Sequence, residues 1–122
     1  MKKGFTLVEL LVVIVIIGAL AAIAIPQYTR AIEQSRRAEA VVNLDNIRKG
    51  AVRYYQLNGT YAGLNNETID IDWPPSHYFS YWINQADPTE FRSQANRTTL
   101  ELPSGMSAYN LQIDQNGNIT EW

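Results

Sequence analysis

Gly4-Phe5-Thr6-Leu7-Val8-Glu9, then Leu10 through Ile25, then Pro26-Gln27-Tyr28, is the stretch on which the reading of this chain turns. Phe5 to Ile25 is 21 residues, and only Thr6 and Glu9 among them are polar. A run of about 20 apolar residues is what a helix needs to cross a bilayer. Lys2 and Lys3 stand before it, which predicts a cytoplasmic N-terminus and a translocated chain beyond Pro26.

Three readings compete for this segment. One is a conventional secretory signal with Ala22-Ile23-Ala24 as its cleavage site, a weak pattern in an alanine-rich helix. Another is a plain membrane anchor. Glu9 argues against both, because a carboxylate at mid-bilayer costs about 2.5–3.5 kcal/mol on insertion scales and gains nothing there. If the chain is cut after Gly4, Phe5 acquires a free amine one helical turn from Glu9. Amine and carboxylate would neutralise each other inside an apolar assembly, where neither is stable alone. Glu9 then reads as a register pin for helix-to-helix burial.

The motif from Gly4 to Glu9, the apolar run and Ile25-Pro26-Gln27-Tyr28 together resemble the N-terminus of type IV prepilins and type II secretion pseudopilins. The resemblance covers about a quarter of the chain and matches at every motif position. It implies an aspartic peptidase that cuts between Gly4 and Phe5 and methylates the new Phe5 amine. It also implies a helix bent near Gly18 and Pro26, partly unwound between them in a polymer. Both residues weaken a helix on their own account, glycine by its freedom and proline by its missing amide.

Beyond Pro26 the helical pattern continues. Tyr28 and Ile32, and then Val41, Leu44, Ile47, Ala51 and the pair Tyr54-Tyr55, stand three or four residues apart, with Glu33, Arg36, Asn43, Asn46, Lys49 and Arg53 at the other positions. Asn58-Gly59 stops the helix, since glycine accepts the left-handed conformation. The later sequence reads as strands: Tyr78–Ile83, Glu90–Arg97, Thr98–Leu102, Asn110–Asp114 and Asn118–Trp122. Asn116-Gly117 predicts a two-residue hairpin loop that sets Ile113 opposite Thr120 and Leu111 opposite Trp122. The expected fold is α+β. It consists of a leader (1–4), an apolar helix (5–26) and a head (27–122) in which the helix to about 57 packs on about four antiparallel strands. Residues 58–77 form the intervening loop.

Mean hydropathy (−0.21) and net charge (−2) conceal this division. Residues 1–53 hold eight Lys or Arg against four Asp or Glu, whereas residues 54–122 hold two against eight. An acidic head is a poor phosphate binder, so no nucleic-acid partner is expected. The chain has no cysteine, which removes thiol chemistry, thiolate metal sites and disulfides.

Enzymatic chemistry finds no constellation. His77 is a lone histidine beside aromatics, and neither a nucleophile elbow nor a phosphate loop occurs. Asp114 to Asn118 offers oxygen donors, but its glycine is misplaced for a calcium loop and the hairpin reading is better. Glu67, Asp70 and Asp72 are a weak calcium candidate without ligand spacing. Asp87-Pro88-Thr89-Glu90 lacks the calcium-loop signature of major pseudopilins. Four Asn-x-Thr triplets (Asn58, Asn66, Asn96, Asn118) read as coincidence, and the tyrosines and tryptophans as core or interface rather than an adhesive patch. No cofactor is expected.

The resemblance therefore implies a non-enzymatic filament subunit. Arg36-Arg37-Ala38-Glu39-Ala40 and Tyr54-Tyr55-Gln56-Leu57-Asn58-Gly59-Thr60-Tyr61 look more like pilus subunits than pseudopilins. The absent C-terminal cysteine pair departs from many pilins and leaves room for a minor one. Expected partners are like or mixed pilin subunits, a prepilin peptidase and the bacterial inner membrane before export to a filament. The alternatives are a pseudopilin of a secretion or DNA-uptake machine and, from another class, a tethered binding domain that never polymerises.

Overall fold

A capped turn at Thr6 opens α1 (Leu7–Asn58), and four strands follow: β1 (Phe79–Ala86), β2 (Phe91–Arg97), β3 (Asn110–Asp114) and β4 (Ile119–Glu121). This computed structural model describes residues 4–122, so all of the expected leader except Gly4 lies outside the described residues. The chain divides into two units, Met1–Gln34 and Ser35–Trp122. In the first, α1 is helical through both Gly18 and Pro26. Thr29 donates its hydroxyl to the Pro26 carbonyl at 2.9 Å. The large apolar residues from Leu7 (87%) to Ile25 (63%) are exposed.

The second unit is a helix on a sheet. The strands form one antiparallel meander, β1-β2-β3-β4, against which α1 places Ala40, Leu44, Ile47 and Ala51, all fully buried. Phe79, Phe91, Ala95, Leu111 and Ile113 meet them from the sheet. Burying one large aliphatic or aromatic side chain stabilises by about 1.5–3 kcal/mol, so this seam joins helix to sheet. Val41 and Tyr54 lie at its edge. Tyr28 is exposed, and Tyr55 is 39% exposed while it stacks on Tyr61 at 4.6 Å.

The expected loop 58–77 is part of the core, to which it contributes Tyr61, Leu64 and Ile69. Its turn is self-bonded: the Asn65 side-chain oxygen accepts the amides of Glu67 (2.8 Å) and Thr68 (3.0 Å). Where this segment crosses α1 the helix carries Gly50. A Cβ there would collide with Ile71 Cγ2 and lie 3.2 Å from Ile69.

Two strand expectations are corrected. Thr98–Leu102 is a turn rather than a strand, because the buried Arg97 guanidinium gathers the carbonyls of Tyr78 (3.3 Å), Thr98 (2.7 Å) and Leu100 (3.0 Å). The β3–β4 register is one residue from that expected: Ile113 faces Ile119, and Leu111 faces Glu121. The loop has three residues, Gln115-Asn116-Gly117. The Gly117 amide donates to Asp114 O at 3.1 Å and Gly117 takes φ +89°. Glycine in that position is the signature of the three-residue hairpin.

Candidate functional site

Helix α1 begins with four amides that no earlier carbonyl can satisfy. Thr6 and Glu9 take two of them. The Glu9 amide donates to Thr6 Oγ1 at 3.2 Å, and the Thr6 amide donates to Glu9 Oε2 at 2.7 Å. This is a capping box, and Thr-x-x-Glu is its sequence signature. Sequence reading singled out Glu9 and missed Thr6, although that four-residue spacing announces it. The carboxylate also lies in the first turn, where the helix dipole favours negative charge. One oxygen bonded to one amide leaves lone pairs for a further donor.

Among the described residues nothing encloses this turn. Phe5 is 82% exposed, and a Cβ on Gly4 or on Gly18 would meet nothing within 4 Å. Neither glycine is required by packing within the described chain. The apolar half of α1 is long and apolar enough to cross a membrane, and none of it is buried. The arrangement offers a capped, acidic helix start on an uncovered apolar surface.

The other residues weighed in the sequence lie in the second unit. His77 is exposed and meets Tyr78 edge-on at 4.4 Å. It borders a cleft of about 110 Å³ with Arg36, Glu39 and Tyr81. The Arg36 guanidinium stacks on Tyr78 at 3.8 Å and bonds Glu101 Oε2 at 2.7 Å, an oxygen that also accepts the Tyr78 hydroxyl at 3.1 Å. That network holds Glu101 at φ +49° and fastens the turn after β2 to α1. Burial pushes the Tyr81 phenol up, against the bond from Asn43. These contacts fix the head and assemble no nucleophile with its base.

Glu67, Asp70 and Asp72 are exposed, and no group of three His, Cys, Asp or Glu suited to a metal occurs among the described residues. Asp114 is occupied by its own turn. Its Oδ1 accepts the amides of Asn116 and Asn118, each at 2.9 Å, and its Oδ2 accepts the Asn118 side chain at 2.9 Å. Burial alone would raise this carboxyl, but those bonds outweigh it and hold the group below the usual carboxylate range.

Residues 1–25 match a family model described as "Prokaryotic N-terminal methylation motif". Residues 26–107 match one described as "Type IV minor pilin ComP, DNA uptake sequence receptor". Among curated relatives, a type IV major pilin protein PilE1 of Neisseria gonorrhoeae is 34% identical over 87 residues, 71% of this chain and 52% of that protein. The fimbrial protein EcpC of Eikenella corrodens is 49% identical over 65 residues, 52% of this chain and 42% of the relative. The chain thus spans about half the length of the curated relatives it matches. Among solved structures, the non-core minor pilin PilV of Neisseria meningitidis superposes with a TM-score of 0.61 at 17% identity, covering 75% of this chain and 88% of that one. That likeness concerns the fold: one long helix on a four-stranded antiparallel sheet.

Proposed function

The chain belongs to the type IV pilins, in the minor pilin family just described, and we propose that it is a structural subunit of a type IV pilus. In this reading it is made as an inner-membrane precursor with its N-terminus cytoplasmic and its head outside. A prepilin peptidase cuts between Gly4 and Phe5 and methylates the Phe5 amine. The subunit then enters a filament of like or mixed pilins through the apolar half of α1. One observation carries the reading: an uncovered apolar helix starts on a capped carboxylate. Apolar surface of that extent is stable only under lipid or neighbouring helices. A carboxylate on it has a role only where a cation or donor meets it, as the Phe5 amine of an adjacent subunit would. Gly18 and Pro26 are where the helix would yield during that transfer.

Nothing within the described chain packs against Gly4, so its backbone is open to an outside partner such as the peptidase. The experiment is terminal mass spectrometry of the chain from cells with and without the peptidase. A mature N-methylated Phe5 supports the reading, and an N-terminus at Ile25 would instead establish a conventional signal peptide.

The description of the matched family names a DNA uptake sequence receptor. For this chain the structural role is the better supported reading. Phosphate binding needs free Lys or Arg. The cations of Ser35–Trp122 have partners inside the head, Arg36 with Glu101, Arg37 with Glu121, Arg48 and Lys49 with Asp45, and, at 3.9 Å, Arg92 with Glu90, so the local field offers a phosphate little net positive charge. Arg53 bonds the Asp70 carbonyl, and Arg97 is buried among three others. A pseudopilin role would place the same assembly chemistry in a secretion machine.

A further inference from the structure

The sheet has a second face. Strand alternation turns Phe79, Ala95, Leu111 and Ile113 to the core and the residues between them outward. The register sets Trp82, Gln94, Gln112 and Thr120 in one cross-strand row. Ser80, Asn96 and Asn110 form the next, and reciprocal backbone bonds place Trp122 at its end. Two indoles therefore stand on opposite edges of a platform of amides and hydroxyls. Four strands span about 14 Å between them, the reach of a few linked pyranose rings.

The platform is held in place by its own side chains. Asn84 Nδ2 donates to Gln94 Oε1 (3.3 Å) and Gln112 Oε1 (3.1 Å), and Gln94 Nε2 donates to Asn96 Oδ1 (2.5 Å). With the Asn110 amide assigned the way its neighbours favour, its nitrogen turned to Asn96 Oδ1 (2.9 Å), its oxygen would accept the Trp122 indole N–H at 3.2 Å. Bonds among fixed side chains lower the ordering cost of a ligand. Among the described residues the Gln112 amide nitrogen meets no acceptor, and Thr120 is exposed, so donors and a hydroxyl remain available.

Charge decides what such a face can take. Neither row carries a charged side chain, and Arg92 and Asp114 face each other in the row beyond. A polyphosphate would find no cation on the rows, and the acidic head repels it. A neutral polyhydroxylated chain matches: the electron-rich faces of the indoles attract sugar C–H groups, and amides pair with hydroxyls in both directions. We propose that this outer sheet face is a binding surface for neutral polysaccharide.

The test is affinity electrophoresis of the full chain in a non-glycosidic neutral detergent, through native gels cast with dextran, laminarin, xyloglucan or galactomannan. Heparin and duplex DNA serve as polyanion controls. Wild type should be retarded in at least one neutral gel. Trp82→Ala and Gln112→Ala should each lose that retardation with unchanged circular dichroism, while Trp82→Phe retains part of it. Gln112→Ala removes no core contact, so its result stands even if Trp82→Ala misfolds. The proposal is overturned by mobility that no neutral polysaccharide alters, by equal retardation of the Gln112→Ala variant, or by retardation in the polyanion gels only. It is also overturned if the face instead pairs with a second copy, seen as self-association that Gln112→Ala abolishes.

Discussion

Thr6 and Glu9 close the start of α1 reciprocally, the hydroxyl taking one amide at 3.2 Å and the carboxylate the other at 2.7 Å. Glu9 thus has one hydrogen bond within its own chain and keeps lone pairs for a further donor. Losing a capping hydroxyl typically costs about 1 kcal/mol. Thr6→Ala should therefore speed hydrogen exchange of the first-turn amides in detergent and leave the Ser35–Trp122 amides unchanged. Thr6→Ser should restore protection. Equal exchange in all three chains would mean the box is not formed in solution.

A second relationship concerns the head. Gly50 would normally gain helix stability on becoming alanine, by up to about 1 kcal/mol. Here the new methyl would collide with Ile71 Cγ2, an atom close to the backbone of the crossing segment. Overpacking of this kind costs about 1–3 kcal/mol, so Gly50→Ala should lower the urea midpoint. Combining it with Ile71→Ala should recover part of the loss, a coupling that a double-mutant cycle measures.

Those two residues mark where sequence reading reached its limit. The seam Leu44, Ile47, Ala51 was legible because a three-and-four spacing survives any arrangement of partners. Gly50 was not, since a glycine in a helical pattern reads as neutral until the segment that crosses it is known. The same segment, 58–77, lacks periodicity, and its buried Tyr61, Leu64 and Ile69 follow from tertiary packing alone. The hairpin was legible in its turn residues but not in its loop length, because Asn116-Gly117 suits both two- and three-residue loops. The Asp114 bonds to Asn116 and Asn118 accompany the longer one. At the candidate site Glu9 stood out by its cost in lipid. Thr6 did not, because an isolated threonine costs little there.

Asp114 also gives a pH dependence. Its carboxyl is held below the ordinary value of 3.8, so its contribution is fully present above that value and is lost as pH falls through the lower folded value. Asp45, lowered chiefly by the hydrogen bond from Arg48 and then by Lys49, acts in the same direction. The urea midpoint should be level from neutral pH to about pH 5 and fall below the carboxylate range. Asp114→Asn should flatten part of that fall, and an unchanged acid limb would remove the turn from the account.

A fragment beginning at Gln27 lacks the apolar run and keeps the seam from Ala40 to Ala51. It should be soluble, monomeric and of mixed helix and strand content by circular dichroism. Leu44→Ala in it should cost about 2–5 kcal/mol, the range for a fully buried leucine. Leu44→Asp should unfold it, an unpaired buried charge being comparable to the whole stability of a small domain.

Assembly through the N-terminal helix is the central claim, and Glu9 carries it. Glu9→Gln keeps an oxygen for the Thr6 amide and removes the charge, whereas Glu9→Leu removes both and makes the helix more apolar. Sheared surface filaments from cells carrying each chain, quantified by mass spectrometry against the membrane fraction, separate the possibilities most directly. The wild-type chain should appear in the filaments, cut at Phe5. Both variants should be cut and inserted with folded heads yet stay depleted from the filaments, because the charge proposed to meet a neighbouring amine is gone. Glu9→Leu chains reaching the filaments at the wild-type level would contradict the account.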